Sequence, residues 1–298
     1  MSKYTQDDSA PMRSMMFIPA ANAAMLSTAT IYGADSYMFD LEDSVSQREK
    51  DAARLMAFNA IQSPIWADHR VVVRINGIET PWFEDDLRAM VKAGAAVIRL
   101  PMTENAKMIE DLDARITELE DEFGIEQGTT QVMAAIESAS GVVEAPQIAK
   151  ASPRMFAMAL AGFDYVVSMH TTRGDGLELF YARCAVLHAA RANNLKCFDV
   201  VYGNVNDEEG FLREVELIKQ LGFDGKSLVN PRQIIPLHNA YAPSQEDYDQ
   251  AIKVVEAAED AEARGLGVVS VDGKMVDGPI IDTARRTIKL VKSSGVRK

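Results

Sequence analysis

Residues 70–101 read RVVVRINGIETPWFEDDLRAMVKAGAAVIRLP and hold one complete strand–helix–strand unit. Arg70–Asn76 is near-continuously apolar and does not alternate, as expected of a parallel strand covered on both faces. Thr80 then Pro81 reads as a helix N-cap and first helical position. Leu87, Met90 and Val91 form an apolar stripe at three- and four-residue spacing, and Gly94 reads as the stop after Lys92. Ala96–Pro101 is a second buried strand.

The alternation extends in both directions. Apolar runs at Ser14–Pro19, Ser36–Asp40, Gln131–Glu137, Met155–Ala161, Cys197–Tyr202 and Gly225–Asn230 complete a set of eight strands. Leu212, Val215, Ile218 and Leu221 mark another helix, stopped by Gly222. Eight strand–helix alternations predict an α/β fold, a closed (β/α)8 TIM barrel. An open doubly wound sheet would need a phosphate-binding GxGxxG after an early strand, and the sequence has none there. The barrel is expected over 13–242, behind a flexible N-terminal tail at 1–12. Residues 243–298 read as a helix–hairpin–helix extension, a lid or subunit contact. In it Gln245–Arg264 is a helix ended by Gly265, and Asp272-Gly273 turns a hairpin between Val268–Val271 and Lys274–Val276. Pro279 opens a last helix running to about Lys292.

Composition narrows the function. With 47% hydrophobic and 25% charged residues the chain reads as an ordinary soluble globular protein. A formal charge of −13 argues against a nucleic-acid partner, which needs concentrated Lys and Arg. It also repels anionic substrates at long range, so any such ligand must be held by local arginines or a metal. The N-terminus lacks the basic start and apolar core of a signal peptide, and Met15–Ile18 is too short to span a bilayer. Cys184 and Cys197, without metal-like spacing, suit a reducing cytoplasm.

In this architecture active sites lie at the C-terminal ends of the strands. The ends carry Asp40-Leu41-Glu42-Asp43, Arg74-Ile75-Asn76, Arg99-Leu100-Pro101, Glu137-Ser138, Gly162-Phe163-Asp164 and Lys226-Ser227-Leu228-Val229-Asn230. Carboxylates and arginines thus alternate around one rim, which packing does not explain. Glu137 and Asp164 end sequential strands. They either hold a divalent cation between them, as Mg²⁺ is held by one or two carboxylates plus water and substrate, or cap helices and pair with rim arginines. Arg74 interrupts an apolar run and needs a partner: Asp40 or Glu42, or a substrate carboxylate or thioester oxygen. Asp40 and Glu42 read as support around Arg74 and the metal. His170, His188 and Arg173-Gly174-Asp175 lack functional spacing, and no GxSxG elbow, P-loop or zinc helix is present.

At these residues the sequence resembles the citrate lyase β-subunit family, within the HpcH/HpaI aldolase/citrate lyase group and its malyl-CoA lyase and malate-synthase-like relatives. The resemblance rests on Arg13–Pro19, Phe39–Val45, Val73–Asn76, Ala134–Ser138, Gly222–Pro231 and Gly273–Pro279, in the family's order along nearly the whole chain. It implies Mg²⁺-dependent cleavage of a citryl thioester, carried on an acyl carrier protein, to oxaloacetate and an acetyl thioester. It makes Glu137 and Asp164 metal ligands, Arg74 and Glu137 substrate-binding, and Arg74 and Asp277 catalytic. Asp277 would protonate the enolate carbon, in its own or a neighbouring subunit. Implied partners are the acyl carrier protein (γ subunit), the α subunit and further copies of the chain. Phe163 departs from the wider group, which carries Glu there, and favours the citrate lyase branch over a freestanding citramalyl- or malyl-CoA lyase. A catalytically silent carrier-docking barrel would have lost Glu137, Asp164 or Arg74, and all three are present.

Overall fold

The computed structural model describes residues 11–263 and 269–293. Eight parallel strands close a barrel in chain order: β1 (Ser14–Pro19), β2 (Ser36–Asp40), β3 (Val71–Arg74), β4 (Val97–Leu100), β5 (Gln131–Ile136), β6 (Met155–Leu160), β7 (Lys196–Asp199) and β8 (Gly225–Leu228). The helices between and after them are α1 (Ala23–Thr28), α2 (Lys50–Ile61), α3 (Phe83–Ala93), α4 (Ala106–Phe123), α5 (Ala139–Ile148), α6 (Gly162–Ser168), α7 (Leu177–Ala192), α8 (Glu208–Leu221) and α9 (Ile234–Tyr241). All eight expected strands form. Several expected runs overshoot at their C-terminal ends, where Ile75, Asn76, Val200 and Asn230 have already left the ladder.

The barrel interior is filled by Met15, Met38, Val72, Val97, Met133, Ala157, Ala159 and Phe198, joined by Met12. Flexible methionines and small alanines fill the irregular space that a ring of tilted strands leaves. Closure is made where β8 pairs with β1, Lys226 opposite Ser14 and Ser227 opposite Met15. Gly225 permits it: a Cβ there would lie 2.2 Å from the Met12 carbonyl oxygen and 2.3 Å from that of Arg13.

The helices obey their sequence signals with one correction. Gly94 and Gly222 end α3 and α8 in the left-handed conformation, at φ 83° and 104°. In α8 the buried stripe runs through Phe211, Val215 and Ile218. Thr80 and Pro81, however, do not start α3, whose N-cap is Trp82. The Thr80 hydroxyl instead donates to the Gly77 carbonyl in the preceding turn, at 2.7 Å.

The described residues divide into two compact units, one over 12–237 and the other over Pro11, 238–263 and 269–293. The second contains α10 (Gln245–Ala263), an antiparallel pair β9 (Val269–Val271) and β10 (Lys274–Val276), and α11 (Gly278–Ser293). Asp272 and Gly273 both have positive φ, 50° and 76°, which suits a two-residue hairpin turn. Ala251, Val254, Val276 and Ala284 form its core. Residues 1–10 of the expected tail, Gly265 and Val268 lie outside the described residues. Among the described residues no helix is long and apolar enough to cross a membrane.

Candidate active site at the C-terminal end of the barrel

Side chains on a strand alternate, so the residue two places beyond an interior residue also points inward. Two places beyond Met15, Met38, Val72 and Val97 stand Phe17, Asp40, Arg74 and Arg99. The ladder sets Asp40 opposite Arg74 and Arg74 opposite Arg99. A charged layer therefore sits directly on the apolar one.

Arg74 is claimed by acids. Its Nε donates to Asp40 Oδ1 at 2.7 Å and its Nη2 to Asp40 Oδ2 at 2.9 Å. Nη1 donates to Asp43 at 3.1 Å and lies 2.7 Å from Glu42 Oε2, outside hydrogen-bond geometry. Burial disfavours the Asp40 carboxylate, but the bonds and charge of Arg74 hold it below the usual carboxylate range. Glu42 goes the other way. Burial pushes it up to about 8 against the pull of Arg74, because Asp43, Glu137 and Asp40 add negative potential. The loop bearing these acids is pinned: Lys50 Nζ donates to the carbonyls of Leu41 and Glu42 at 2.8 and 2.7 Å, and Asn76 Nδ2 reaches Leu41 at 3.0 Å.

Arg99 is the residue the sequence reading quoted at a strand end but did not single out. It is 2% exposed; among the described residues its Nε has no hydrogen-bond partner and only the Met38 sulfur accepts from Nη1, at 3.7 Å. Burial and the neighbouring Arg74 lower its pKa to about 10, with Glu137, Glu42 and Asp40 opposing. Both guanidiniums lie over the Phe17 ring, at 5.1 Å for Arg74 and 5.7 Å for Arg99. The signal was available: Val97-Ile98-Arg99 repeats Val72-Val73-Arg74.

Glu137 follows β5, where Ser138 caps α5 by accepting from Gly141 N–H at 3.1 Å. Glu137 is 3% exposed, and its Oε1 is buried without a hydrogen-bond partner among the described residues. Burial pushes it up to about 6 against Arg99 and Arg74, and Asp164 adds to the rise. Asp164 sits in the first turn of α6 and is exposed. Gly162 lets that helix approach its neighbours, since a Cβ would meet both Arg173 Nη1 and Val200 at 2.8 Å.

A cavity of about 520 Å³ opens here, with Phe17, Asp40, Arg74, Arg99, Asp164 and Ser227 on its wall. Glu137 is not on that wall, although it feels the charge of Asp164. Even with Glu42 protonated, the carboxylates Asp40, Asp43, Glu137 and Asp164 outnumber the guanidiniums Arg74 and Arg99, so a cation is electrostatically welcome. Among the described residues no three His, Cys, Asp or Glu side chains form a metal cage. The donor set that remains is two carboxylates, one with an orphaned oxygen, and this fits Mg²⁺, which keeps waters and substrate oxygens as its other ligands.

One sequence candidate falls elsewhere. Lys226 points out of the barrel, where its Nζ meets Asp199 at 2.8 Å and Glu214 of α8 at 2.6 Å. Arg183 of α7 makes a two-bond pair with the same Asp199, at 2.8 and 3.0 Å. Burial opposes ionisation of Asp199, but Lys226 and Arg183 hold its pKa down. This buried network ties β7 and β8 to their helices. Asp277 belongs to the second unit and begins α11, where its Oδ1 accepts from Ile280 N–H at 3.4 Å.

A family model described as HpcH/HpaI aldolase/citrate lyase matches residues 13–231. The chain is 52% identical over 287 residues to the citrate lyase subunit beta of Escherichia coli K12, covering 96% of this chain and 95% of that one. Among solved structures it is similar to the Mycobacterium tuberculosis CitE protein in complex with magnesium, acetoacetate and coenzyme A. There the TM-score is 0.77 and the identity 28%, covering 95% of this chain and 99% of that one. A citrate lyase beta subunit from M. tuberculosis complexed with oxaloacetate and magnesium matches with TM-score 0.67 and 28% identity, covering 79% and 99%.

Proposed function

The chain belongs to the HpcH/HpaI aldolase/citrate lyase family, and from that membership we propose a Mg²⁺-dependent carbon–carbon lyase that splits a citryl thioester into oxaloacetate and an acetyl thioester. The observation that carries the reading is the orphaned buried oxygen of Glu137, a carboxylate that feels the charge of Asp164 and of the arginine layer at the same rim.

Glu137 and Asp164 would hold the ion, and Glu137 would take part in binding the acid through it. When bound, Mg²⁺ supplies Lewis acidity to the substrate's tertiary hydroxyl and the carboxylate beside it. Cleavage releases the hydroxyl proton to solvent, turns that alcohol into the ketone of oxaloacetate and leaves the carbon–carbon bonding pair on the acetyl thioester as an enolate. Arg74 would offset charge on the thioester oxygen through Nη1, the end shared between Glu42 and the largely exposed Asp43. Asp40 would keep the guanidinium in place meanwhile. Asp277 would return a proton to the enolate carbon.

The natural thioester is proposed to be borne by an acyl carrier protein, with an α subunit loading it and further copies of this chain in the assembly. Half-exposed Phe163 on the cavity wall gives an apolar contact for such a carrier. The free thiols Cys184 and Cys197 fit a cytoplasmic enzyme. The test is the purified chain assayed with citryl-CoA, citryl-carrier protein and citramalyl-CoA, detecting oxaloacetate or pyruvate. Release of oxaloacetate, faster from the carrier protein than from CoA, is expected. Pyruvate from citramalyl-CoA with no oxaloacetate from either citryl thioester would make this a freestanding citramalyl lyase.

A further inference from the structure

We propose that Arg99 is the specificity-determining residue that binds the second carboxylate of the cleaved acid, so that the site selects a 2-oxo dicarboxylate over a 2-oxo monocarboxylate. The inference rests on the lyase reading above and adds to it a substrate-discriminating group.

Two guanidiniums line the cavity, and they differ in how many carboxylates already hold them. Arg74 gives Nε and Nη2 to Asp40 and Nη1 to Asp43, with Glu42 also against it. Arg99, among the described residues, has no carboxylate within ion-pair distance. Its Nε is buried and unbonded, and its one polar contact is a thioether sulfur at 3.7 Å. A buried guanidinium with no carboxylate paired directly to it is costly, and its planar fork matches a carboxylate in two parallel bonds. The Phe17 ring beneath it supports the charge but offers no hydrogen-bond acceptor.

The chemistry of the substrate supplies the missing acceptor. A citryl group carries a hydroxyl and a carboxylate on one carbon, the pair assigned to the metal, and a second carboxylate on a methylene arm. Replacing that arm by methyl gives the citramalyl group, and the corresponding products are oxaloacetate and pyruvate. The distal carboxylate is the feature that separates them. A site that leaves Arg99 unpaired should reject the compound lacking it, since a buried donor left unsatisfied is penalised in full.

The test is calorimetric binding of oxaloacetate, its 4-methyl ester and pyruvate in saturating Mg²⁺, to the full chain and to Arg99→Met and Arg99→Lys. The unaltered protein should bind oxaloacetate about 30- to 100-fold more tightly than pyruvate or the ester. Arg99→Met should bring that ratio below about threefold with pyruvate affinity retained, and Arg99→Lys should fall between, keeping charge but losing the fork. The ester arm needs no variant, so misfolding of Arg99→Met would leave the test intact. An oxaloacetate-to-pyruvate ratio unchanged in Arg99→Met, or equal binding of oxaloacetate and ester by the unaltered protein, would overturn the proposal. So would an Arg99→Met chain that loses Mg²⁺ affinity at constant ratio, since Arg99 would then be a counter-charge for Glu137. Failure of the lyase reading shows separately, as an unaltered protein that releases no oxaloacetate from citryl thioesters.

Discussion

Asp40 and Arg74 stand directly opposite each other on β2 and β3 and share two parallel hydrogen bonds, 2.7 and 2.9 Å long. Both are buried, so the pair is held in low dielectric with its geometry fixed by the ladder. Removing one partner leaves a buried charge. Asp40→Asn is expected to destabilise the fold by about 3 kcal/mol in urea unfolding. Arg74→Lys cannot serve both carboxylate oxygens and the cavity at once, and should lower citryl-CoA turnover by about a hundredfold. Turnover within twofold of the unaltered chain would make Arg74 a purely structural partner of Asp40.

Metal dependence follows from the orphaned Glu137 Oε1 and its neighbour Asp164. Excess chelator should abolish activity and Mg²⁺ restore it. Glu137→Gln and Asp164→Asn should each weaken calorimetric Mg²⁺ binding at least tenfold with circular dichroism unchanged, because each removes one anionic ligand. Full activity in chelator would end the assignment.

Glu42 gives a pH signature. Its folded pKa is raised to about 8, above the ordinary glutamate value. Between those values the folded state keeps a proton that the unfolded chain releases, so this group's contribution to stability is lost as pH rises through the window. Glu42→Gln is neutral at every pH and escapes the loss. Its stability relative to the unaltered chain should therefore improve from pH 5 to 8.5 in urea titrations. A pH-independent difference would mean that Glu42 stays ionised against Arg74 throughout.

Asp277 separates a cap from an acid. Its side chain caps α11, and asparagine caps as well as aspartate, so Asp277→Asn should preserve the helix content. If the carboxyl protonates the enolate, turnover should nevertheless collapse. Mixing Asp277→Asn with Glu137→Gln subunits, once exchange is confirmed, should restore part of the activity if the residue works across a subunit boundary. No recovery would confine Asp277 to its own chain, and a fully active Asp277→Asn would remove it from the reaction.

The strands and their order were legible in the chain because burial on both faces writes near-continuous apolar runs, and Gly94 and Gly222 mark where helices must stop. The rim acids and arginines were legible because a charge after such a run has no packing reason to be there. Local pattern failed where a side chain had a choice of partner. Thr80 looked like a cap, yet its hydroxyl is spent on Gly77 and α3 begins beyond it. Lys226 looked like a rim residue, but β-strand alternation turns it outward to Asp199 and Glu214. Arg74 and Arg99 sit in almost identical sequence contexts, and only the closed barrel distinguishes them. The register gives Asp40 to Arg74, and Asp43 and Glu42 crowd the same guanidinium, leaving Arg99 buried with no acid paired to it among the described residues. Hydrophobic periodicity is a property of neighbours along the chain, whereas the pairing of charges depends on which strands lie side by side and at what level.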